Sequence, residues 1–360
     1  MARTVALRLL AALALMSLTG FLAGCSGSGK RPTEPVAAAS AGSPVDDRLT
    51  PDVAGRAFRS YVDNDDVARA SGDERLALSW ADDGQAQLIA AEFRKAAFTG
   101  DPVPRYVYRD QRLYVPRLTQ YPKWFVVTAD RARKSVPDQP GGHGRTVLMA
   151  FVRKSSDARW RLSLSTLLDH KVKLPQVVVD KDGYATPLAT FDVGLVIQPR
   201  IVPAMQATLA EEGPASLAAK VMRTGSHTSG YYVRDQHSEE RDKERGLAYD
   251  SVYAASSFPI FSLRTADGGG LVLYALSRDT VTFVKDKAHG RLSVPRDAAH
   301  LLDTIVLKDE LDVTETLQFA TTVPAKPSGK QNKTPDKNTG RAAVIAADGA
   351  VTSATTTEAD

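Results

Sequence analysis

A ten-residue pattern occurs twice in this sequence, as YPKWFVVTAD at residues 121–130 and as FPIFSLRTAD at residues 258–267. Both copies contain Pro, Thr, Ala and Asp at matching positions and have an aromatic residue at the first and fourth positions. The next apolar run repeats as well, as VLMAFVR at residues 147–153 and as VLYALSR at residues 272–278. The sequence therefore predicts two diverged copies of one strand-containing unit.

The residues around the repeat predict helices followed by strands in each copy. Apolar residues recur at three- and four-residue spacings over residues 54–70 and 85–97, and residues 203–222 form the matching helical part of the second copy. Alternating segments bounded by turn residues predict strands at 105–108, 113–116, 124–129, 146–154, 160–168, 247–254, 261–265, 271–277, 281–284, 304–308 and 311–321. Helices that lead into an antiparallel sheet define the α+β class.

This order of elements, with a spacing of about 125 residues between the copies, resembles the cystatin-like cone of the nuclear-transport-factor-like and SnoaL-like domains. The resemblance implies two tandem cone-shaped domains, each with helices packed on a curved antiparallel sheet. The whole chain is similar to uncharacterised actinobacterial lipoproteins that carry such domains in tandem.

The N-terminus has the pattern of a secretory signal. Arg3 and Arg8 precede an apolar run at residues 9–18, and the sequence LAGC follows at residues 22–25. LAGC resembles the bacterial lipobox, which implies cleavage before Cys25 and a lipid on its sulfur. We therefore expect a palmitate-type lipid anchor on Cys25 and a location on the extracytoplasmic face of the cell membrane.

Composition and pattern divide the chain into five segments. Residues 1–24 are the predicted lipoprotein signal peptide, and residues 25–50, rich in Ser, Gly, Ala and Pro, are a flexible linker. Residues 51–198 form the first cone domain with a connecting hairpin that turns at Asp182 and Gly183. Residues 199–323 form the second cone domain. Residues 324–360 contain no aromatic residue and are predicted to be a disordered tail.

Charge and cysteine content exclude several classes of function. The chain has 46 Lys and Arg against 42 Asp and Glu, and this small excess falls mainly in the signal and the tail, so no nucleic-acid partner is expected. The single cysteine cannot form an intramolecular disulfide. GCSGSGK at residues 24–30 has the spacing of a phosphate-binding loop, but Arg31 follows it and no strand precedes it, so that function is rejected.

The cone resembles a fold that includes ketosteroid isomerase, which implies a carboxylate base opposite a hydroxyl donor. The candidate bases are Asp110 and Asp130, and the candidate donors are Tyr106, Tyr108 and Tyr121. Turn and core roles explain these residues as well, because Asp is common in turns and the tyrosines alternate along a strand. The six histidines do not cluster in the sequence, and neither a metal nor a cofactor is predicted.

The aromatic residues of the repeat are the candidate lining of an apolar pocket, namely Tyr121, Trp124, Phe258 and Phe261. The alternative is that they fill the core. Without a catalytic motif, the leading hypothesis is a non-enzymatic lipoprotein that binds a small apolar ligand, an envelope component or a partner protein. The alternatives are a small-molecule enzyme with an Asp/Tyr pair, and a scaffold with a large exposed apolar patch.

Overall fold

The computed structural model describes residues 47–134, 144–304, 306–327 and 340–357. The predicted signal peptide, Cys25 and residues 26–46 of the predicted linker lie outside the described residues, as do residues 328–339 of the predicted tail. Residues 47–50, the last of the predicted linker, already belong to the folded unit, and the side chain of Leu49 is buried.

The first half of the folded unit begins with three helices, α1 (Pro51–Ser71), α2 (Glu74–Ser79) and α3 (Asp83–Thr99). α1 starts where Thr50 accepts a hydrogen bond from the N–H of Val53 and Pro51 occupies the first turn. It ends at Gly72, whose φ of 68° lies in the left-handed region that favours glycine. α1 and α3 confirm the two helices predicted from apolar spacing.

Four antiparallel strands follow, β1 (Tyr106–Tyr114), β2 (Lys123–Arg133), β3 (Arg145–Arg153) and β4 (Arg161–Leu168). Each strand pairs with the next one in the chain. Phe125 and Phe151 lie opposite each other on β2 and β3, and their buried rings stack at 4.9 Å between centroids. This stacked pair packs under α1, because both rings belong to the same apolar cluster as Phe58 and Tyr61.

The second half repeats the order of helices before strands. Its helices are α4 (Val202–Glu212) and α5 (Ser229–Glu244), with short 3-10 turns before and after α4. Its strands are β5 (Leu247–Ala255), β6 (Phe261–Arg264), β7 (Gly270–Val284), β8 (Glu310–Val323) and β9 (Ala343–Thr357). The α+β class predicted from the sequence is therefore confirmed.

The expected pair of separate cone domains is not what the described residues form. All nine strands belong to one sheet in the order β1-β2-β3-β4-β9-β8-β7-β5, with β6 also paired to β7. The two halves join where β4 pairs with β9, through Leu167 opposite Ala347 and Leu168 opposite Ala346. The pairing of β4 with β9 supplies backbone hydrogen bonds to an edge strand of each half. The boundary predicted after residue 198 therefore does not separate two sheets.

The disorder predicted for residues 324–360 is wrong for β9. This 15-residue strand pairs with β8 over most of its length and buries Ile345 and Ala346. The segment lacks aromatic residues, but its Val, Ile and Thr residues favour a pleated surface, and its alanines fit between close neighbouring strands. The last described strand therefore lies at the centre of the sheet, between β4 and β8.

An apolar cluster made by strands of both halves packs the molecule together. Leu148 and Leu164 of the first half share it with Leu271, Leu273 and Ala346 of the second. The segment between the halves covers part of this cluster with Val177 and Ala185. The turn predicted within that segment is confirmed, because the N–H of Gly183 donates to the carbonyl of Asp180 and Gly183 has a φ of 84°.

Candidate functional site

A cavity of about 440 Å³ lies between the two halves, bounded by α1, α3, β1 and β2 of the first and by β9 of the second. We call it the α3 cavity, because residues 85–95 of that helix form one wall. Pockets that hold small molecules usually measure about 300–1,000 Å³. Its lining mixes apolar side chains such as Leu88 and Ile89 with tyrosines and charged groups.

Arg69 of α1 is the central charged group of one wall. Its guanidinium lies 2.8 Å from the carboxylate of Asp65 and 2.7 Å from that of Glu92, and it donates to the carbonyl of Pro104. Burial opposes its charge, but Asp65 and Glu92 outweigh burial and hold the pKa of Arg69 above its ordinary value. Arg69 is therefore a fixed cation, held by acceptors from two helices and the loop before β1.

Two guanidinium groups contact the ring of Tyr106 on β1. Arg69 stacks over its ring at 5.1 Å from the centroid and Arg131 of β2 at 4.7 Å. Its hydroxyl donates to Glu92 at 3.2 Å, and burial followed by the charge of Glu92 raises the pKa of Tyr106. These contacts fix the ring, so Tyr106 forms a rigid part of the cavity wall.

Asp348 of β9 brings a carboxylate to the opposite side of the same cavity. It lies 3.8 Å from the guanidinium of Arg131, and its Oδ1 accepts from the N–H of Gly349. Burial raises the pKa of Asp348, and the nearby Arg131 lowers it only in part. The side chain keeps 34% of its surface accessible, which we attribute to its position on the cavity. Asp348 is thus surrounded by protein but open to a small ligand.

Three further polar groups of the cavity lack hydrogen-bond partners among the described residues. Gln85 is 9% exposed, and its amide oxygen Oε1 is buried without a hydrogen-bond partner within that part of the chain. The hydroxyls of Tyr61 and Tyr108 also form no hydrogen bond there, and burial raises the pKa of both. Unmet hydrogen-bonding capacity at a buried site costs free energy, and a ligand can recover it.

The rim of the cavity carries charged and titratable groups from a second segment. His300 and Asp297 lie before β8 and line the cavity together with Lys95 of α3. Burial, reinforced by the charge of Lys95, lowers the pKa of His300, so its imidazole is neutral at pH 7. Residues from both halves therefore form the entrance.

Two of the predicted hydroxyl donors lie in this cavity, and the predicted bases do not. Tyr106 and Tyr108 line it, whereas Asp110 and Asp130 line a second, more open hollow of about 880 Å³ beside residues 174–177. Asp130 precedes Arg131 on β2, and successive strand residues point to opposite faces, so Asp130 faces away from the tyrosines. The carboxylates that line the same cavity as the tyrosines are those of Glu92, Glu315 and Asp348, the last from the segment predicted to be a tail.

The predicted aromatic lining residues lie elsewhere. Phe261 is buried and Trp124 half-buried in the apolar cluster that joins the halves, and Phe258 packs beside Gly84 at the start of α3. The hydroxyl of Tyr121 donates to Asp47, which also accepts from Lys123. None of these four aromatic residues lines the α3 cavity, so their predicted pocket role has no counterpart there.

Sequence reasoning missed Arg69, Glu92, Arg131 and Asp348. One local signal was present for the first, because Asp65 and Arg69 are four residues apart on a predicted helix and such pairs meet on one helix face. Glu92 and Arg131 reach the site through tertiary packing of the first half, and Asp348 reaches it through the pairing of β9 with β4, for which the sequence carries no short-range signal.

Other chemical groupings are sparse in the described part of the chain. No group of three His, Cys, Asp or Glu side chains within it has the geometry of a metal site. His227 lies 3.0 Å from Asp169, and His289 lies 2.7 Å from Asp286, each as an isolated pair. Among these residues, no helix combines the length and the apolar character needed to cross a membrane.

The fold and the site together define a mixed α+β protein with one antiparallel sheet and a polar cavity under its N-terminal helices. The chain belongs to the family described as domain of unknown function DUF8094, whose pattern matches residues 45–356. The match begins two residues before the first described residue and ends within β9, so the family comprises both halves of the sheet.

Three similar proteins come from two Streptomyces species. An uncharacterized lipoprotein of Streptomyces avermitilis is 29% identical over 202 residues, covering 56% of this chain and 55% of the relative. Two uncharacterized lipoproteins of Streptomyces coelicolor are 27% and 25% identical, covering 58% and 63% of this chain and 58% and 62% of the relatives. The chain thus aligns with less than two thirds of each relative. No solved structure matches it significantly.

Proposed function

We propose that this chain is a lipoprotein anchored through Cys25 to the extracytoplasmic face of the cell membrane, and that it binds a small molecule in the α3 cavity. The LAGC sequence at residues 22–25 and the printed names of the three relatives support the anchor. The folded unit begins at Asp47, which follows Cys25 in the sequence. Tyr121, Lys123 and Arg153 all contact the carboxylate of Asp47.

Metabolic labelling tests the anchor. Cells that express the full chain are grown with radiolabelled palmitate, and the protein is recovered from the membrane fraction. Wild type is expected to carry the label. Cys25→Ala is expected to carry no label and to be absent from the membrane fraction. Equal labelling of the two proteins, or no labelling of wild type, contradicts the anchor. Ser26→Ala, one residue further on, is the matched control and should label normally.

The α3 cavity is the observation that carries the binding proposal. It has the volume of a small-molecule site, and its wall contains the buried, unpaired amide oxygen of Gln85 beside the hydroxyls of Tyr61 and Tyr108. Fully packed cores satisfy such groups internally. A ligand of the right size would satisfy them, which favours small-molecule binding over a purely structural role.

Native mass spectrometry of the full chain, extracted in mild detergent, tests this function. A bound compound is expected on wild type and on Thr355→Trp, which adds an indole to an exposed position of β9. It is expected to be absent from Ala350→Trp, where the indole fills the cavity from the same strand. Circular dichroism establishes that both variants fold. If Ala350→Trp does not fold, Leu88→Trp on α3 is used in its place. Wild type without a bound compound contradicts the function.

The alternative function is a small-molecule enzyme with a carboxyl group and a tyrosine as its acid-base pair. One observation favours it, namely that Asp348, whose pKa burial raises, lies in the same cavity as Tyr106 and Tyr108. Binding alone predicts that the compound released after incubation is the compound that was added. Catalysis predicts a changed compound, and the conversion should stop in Asp348→Asn.

A further inference from the structure

We infer that the ligand of the α3 cavity is a neutral polyhydroxylated molecule of the sugar type, held by the Gln85 amide, the Asp348 carboxyl group and the hydroxyls of Tyr61 and Tyr108. This inference rests on the proposed small-molecule function and adds the class of ligand. It follows from how the charges of the cavity are paired and from which polar groups are left unpaired.

Arg69, Glu92, Glu315 and Arg131 on the cavity wall have charged partners within the protein, whereas Lys95 and Asp297 form no ion pair among the described residues. Arg69 is paired with Asp65 and Glu92, and Glu315 lies 2.5 Å from Arg278. Arg131 stacks on Tyr106 and lies close to Asp348. A charged ligand would need to compete with these pairs in a poorly solvated space, at a cost that a neutral ligand avoids.

Charged groups of both signs lie around the cavity, so neither kind of ion is favoured. A cation near Asp348 would meet the guanidinium of Arg131, which lies 3.8 Å from that carboxylate. An anion near the guanidiniums of Arg69 and Arg131 would meet the carboxylates of Glu92 and Asp348. Like charges repel more strongly in a poorly solvated space than in water, so both arrangements are less favourable than a neutral ligand.

The unpaired groups need a ligand that can donate and accept hydrogen bonds. The amide of Gln85 presents a donor at one end and an acceptor at the other, and each tyrosine hydroxyl can do both. The carboxyl group of Asp348 accepts when ionised and donates when protonated. A ligand hydroxyl also donates and accepts, so several hydroxyls on one compact framework match this set better than an apolar molecule does.

The remaining lining fits the carbon framework of such a molecule. Leu88 and Ile89 of α3 and Val351 of β9 give apolar surface, and the rings of Tyr61 and Tyr108 give flat amphipathic surface with a polar end. Apolar walls with a few placed polar groups are the usual composition of small-molecule sites. The cavity thus offers contacts both for C–H faces and for hydroxyls.

Isothermal titration calorimetry at pH 6 tests the ligand class with three hexose derivatives that differ in charge. They are N-acetylglucosamine, which is neutral, glucosamine, which is cationic, and glucuronate, which is anionic; octanol is a fourth, apolar probe. The titrations use the full chain in detergent. N-acetylglucosamine is expected to bind saturably and at least tenfold more tightly than any other probe. Tighter binding of a charged probe or of octanol overturns the inference, as does the absence of saturable sugar binding.

Two substitutions locate the binding and separate a neutral ligand from an ion. Gln85→Leu removes the amide and is expected to weaken N-acetylglucosamine binding at least tenfold, whereas Gln111→Leu on the exposed part of β1 leaves it unchanged. Asp348→Asn keeps hydrogen-bonding atoms and removes the charge, so affinity should change less than threefold. The inference is overturned if Asp348→Asn no longer binds N-acetylglucosamine, or if Gln85→Leu binds it as tightly as wild type does. Circular dichroism establishes the fold of each variant.

The two proposals fail in different ways. A bound compound in the mass spectra that depends on the cavity, together with no sugar binding, overturns the sugar class and leaves small-molecule binding in place. No bound compound and no binding of any probe overturn both. Sugar binding that persists in Ala350→Trp overturns the assignment of the sugar to the α3 cavity.

Discussion

The indole of Trp124 and the ring of Phe261 pack against each other, with centroids 5.6 Å apart and planes inclined at 61°. The two residues occupy the same position of the repeated pattern, the fourth, and come from different halves of the chain. Both belong to the apolar cluster shared by the halves, in which Phe261 is 1% exposed. The repeated motif therefore forms part of the contact between the copies in addition to a strand within each.

The first prediction concerns this aromatic pair. Phe261→Ala removes a fully buried ring and is expected to lower the free energy of unfolding by about 3–5 kcal/mol, and Trp124→Ala by somewhat less. A double-mutant cycle measured by urea unfolding should give a coupling of about 0.5–1.5 kcal/mol. Phe98→Ala, at a 63% exposed site, is the control and should change stability by less than about 0.5 kcal/mol. Additive effects of the two substitutions would contradict the contact.

The repeat predicts strands and duplication but not the strand register. Trp124 lies opposite Val152, whereas Phe261 lies opposite Leu273, the counterpart of Leu148 in the first copy. The two hairpins thus differ by four positions, because the connections between their strands differ in length. Sequence identity between the copies reports which residues form strands, while the turn sets which residues face each other.

The joined sheet could not be predicted for a related reason. Pairing of β4 with β9 brings together residues about 180 positions apart, through two described register pairs, Leu167 with Ala347 and Leu168 with Ala346. An edge strand accepts any partner of suitable shape, and its pattern does not identify that partner. Asp348 is the residue after Ala347. Because the pairing of β9 with β4 could not be predicted, the position of Asp348 in the α3 cavity could not be predicted either. Tyr106 and Tyr108 were found because alternation along β1 is local.

The second prediction tests the central position of β9. Ala346→Asp places a carboxylate at a fully buried site between β4 and β8, and it is expected to destabilise the protein by about 3 kcal/mol or more. Thr355→Asp, on an exposed part of the same strand, should change stability by less than about 1 kcal/mol. Thermal unfolding followed by circular dichroism compares the two. Equal melting temperatures would show that β9 is not part of the core.

The third prediction concerns the buried pair of Arg69 and Asp65. Arg69→Met leaves the Asp65 carboxyl group buried without its cation, and we expect a loss of about 3–5 kcal/mol in urea unfolding. Asp65 Oδ1 already lacks a partner among the described residues, so no other group there compensates. The double variant Asp65→Leu/Arg69→Met removes both charges and should recover most of the loss. A double variant no more stable than Arg69→Met would contradict this account.

The fourth prediction concerns Asp47, where the folded unit begins. Hydrogen bonds from Lys123 and Tyr121 lower the pKa of Asp47 below its ordinary value of 3.8. A lowered folded-state pKa stabilises the protein above the unfolded pKa, and this contribution is lost as pH falls through the folded pKa. Asp47→Asn should therefore be less stable than wild type at pH 7, with the difference closing below about pH 4. Urea unfolding over this pH range measures it.

Asp250→Asn is the matched control for that series, because this exposed carboxylate accepts, among the described residues, only from the N–H of the next residue, Ser251. It should change stability at pH 7 by less than about 0.5 kcal/mol. A constant difference between Asp47→Asn and wild type from pH 7 to pH 3 would assign the effect to packing and not to the charge.

The fifth prediction concerns Asp348 and has the opposite sign. Burial raises the pKa of this carboxyl group above 3.8, so the folded state retains a proton that the unfolded state has released. Stability then falls as pH rises from the unfolded pKa through the folded pKa, since ionisation is less favourable in the cavity than in water. Asp348→Asn cannot ionise and should be more stable than wild type at pH 7, with equal stability below about pH 4. Urea unfolding of both proteins from pH 3 to pH 8 measures the difference. A variant that is less stable at pH 7 would show that Arg131 outweighs burial and that Asp348 is an ordinary structural carboxylate.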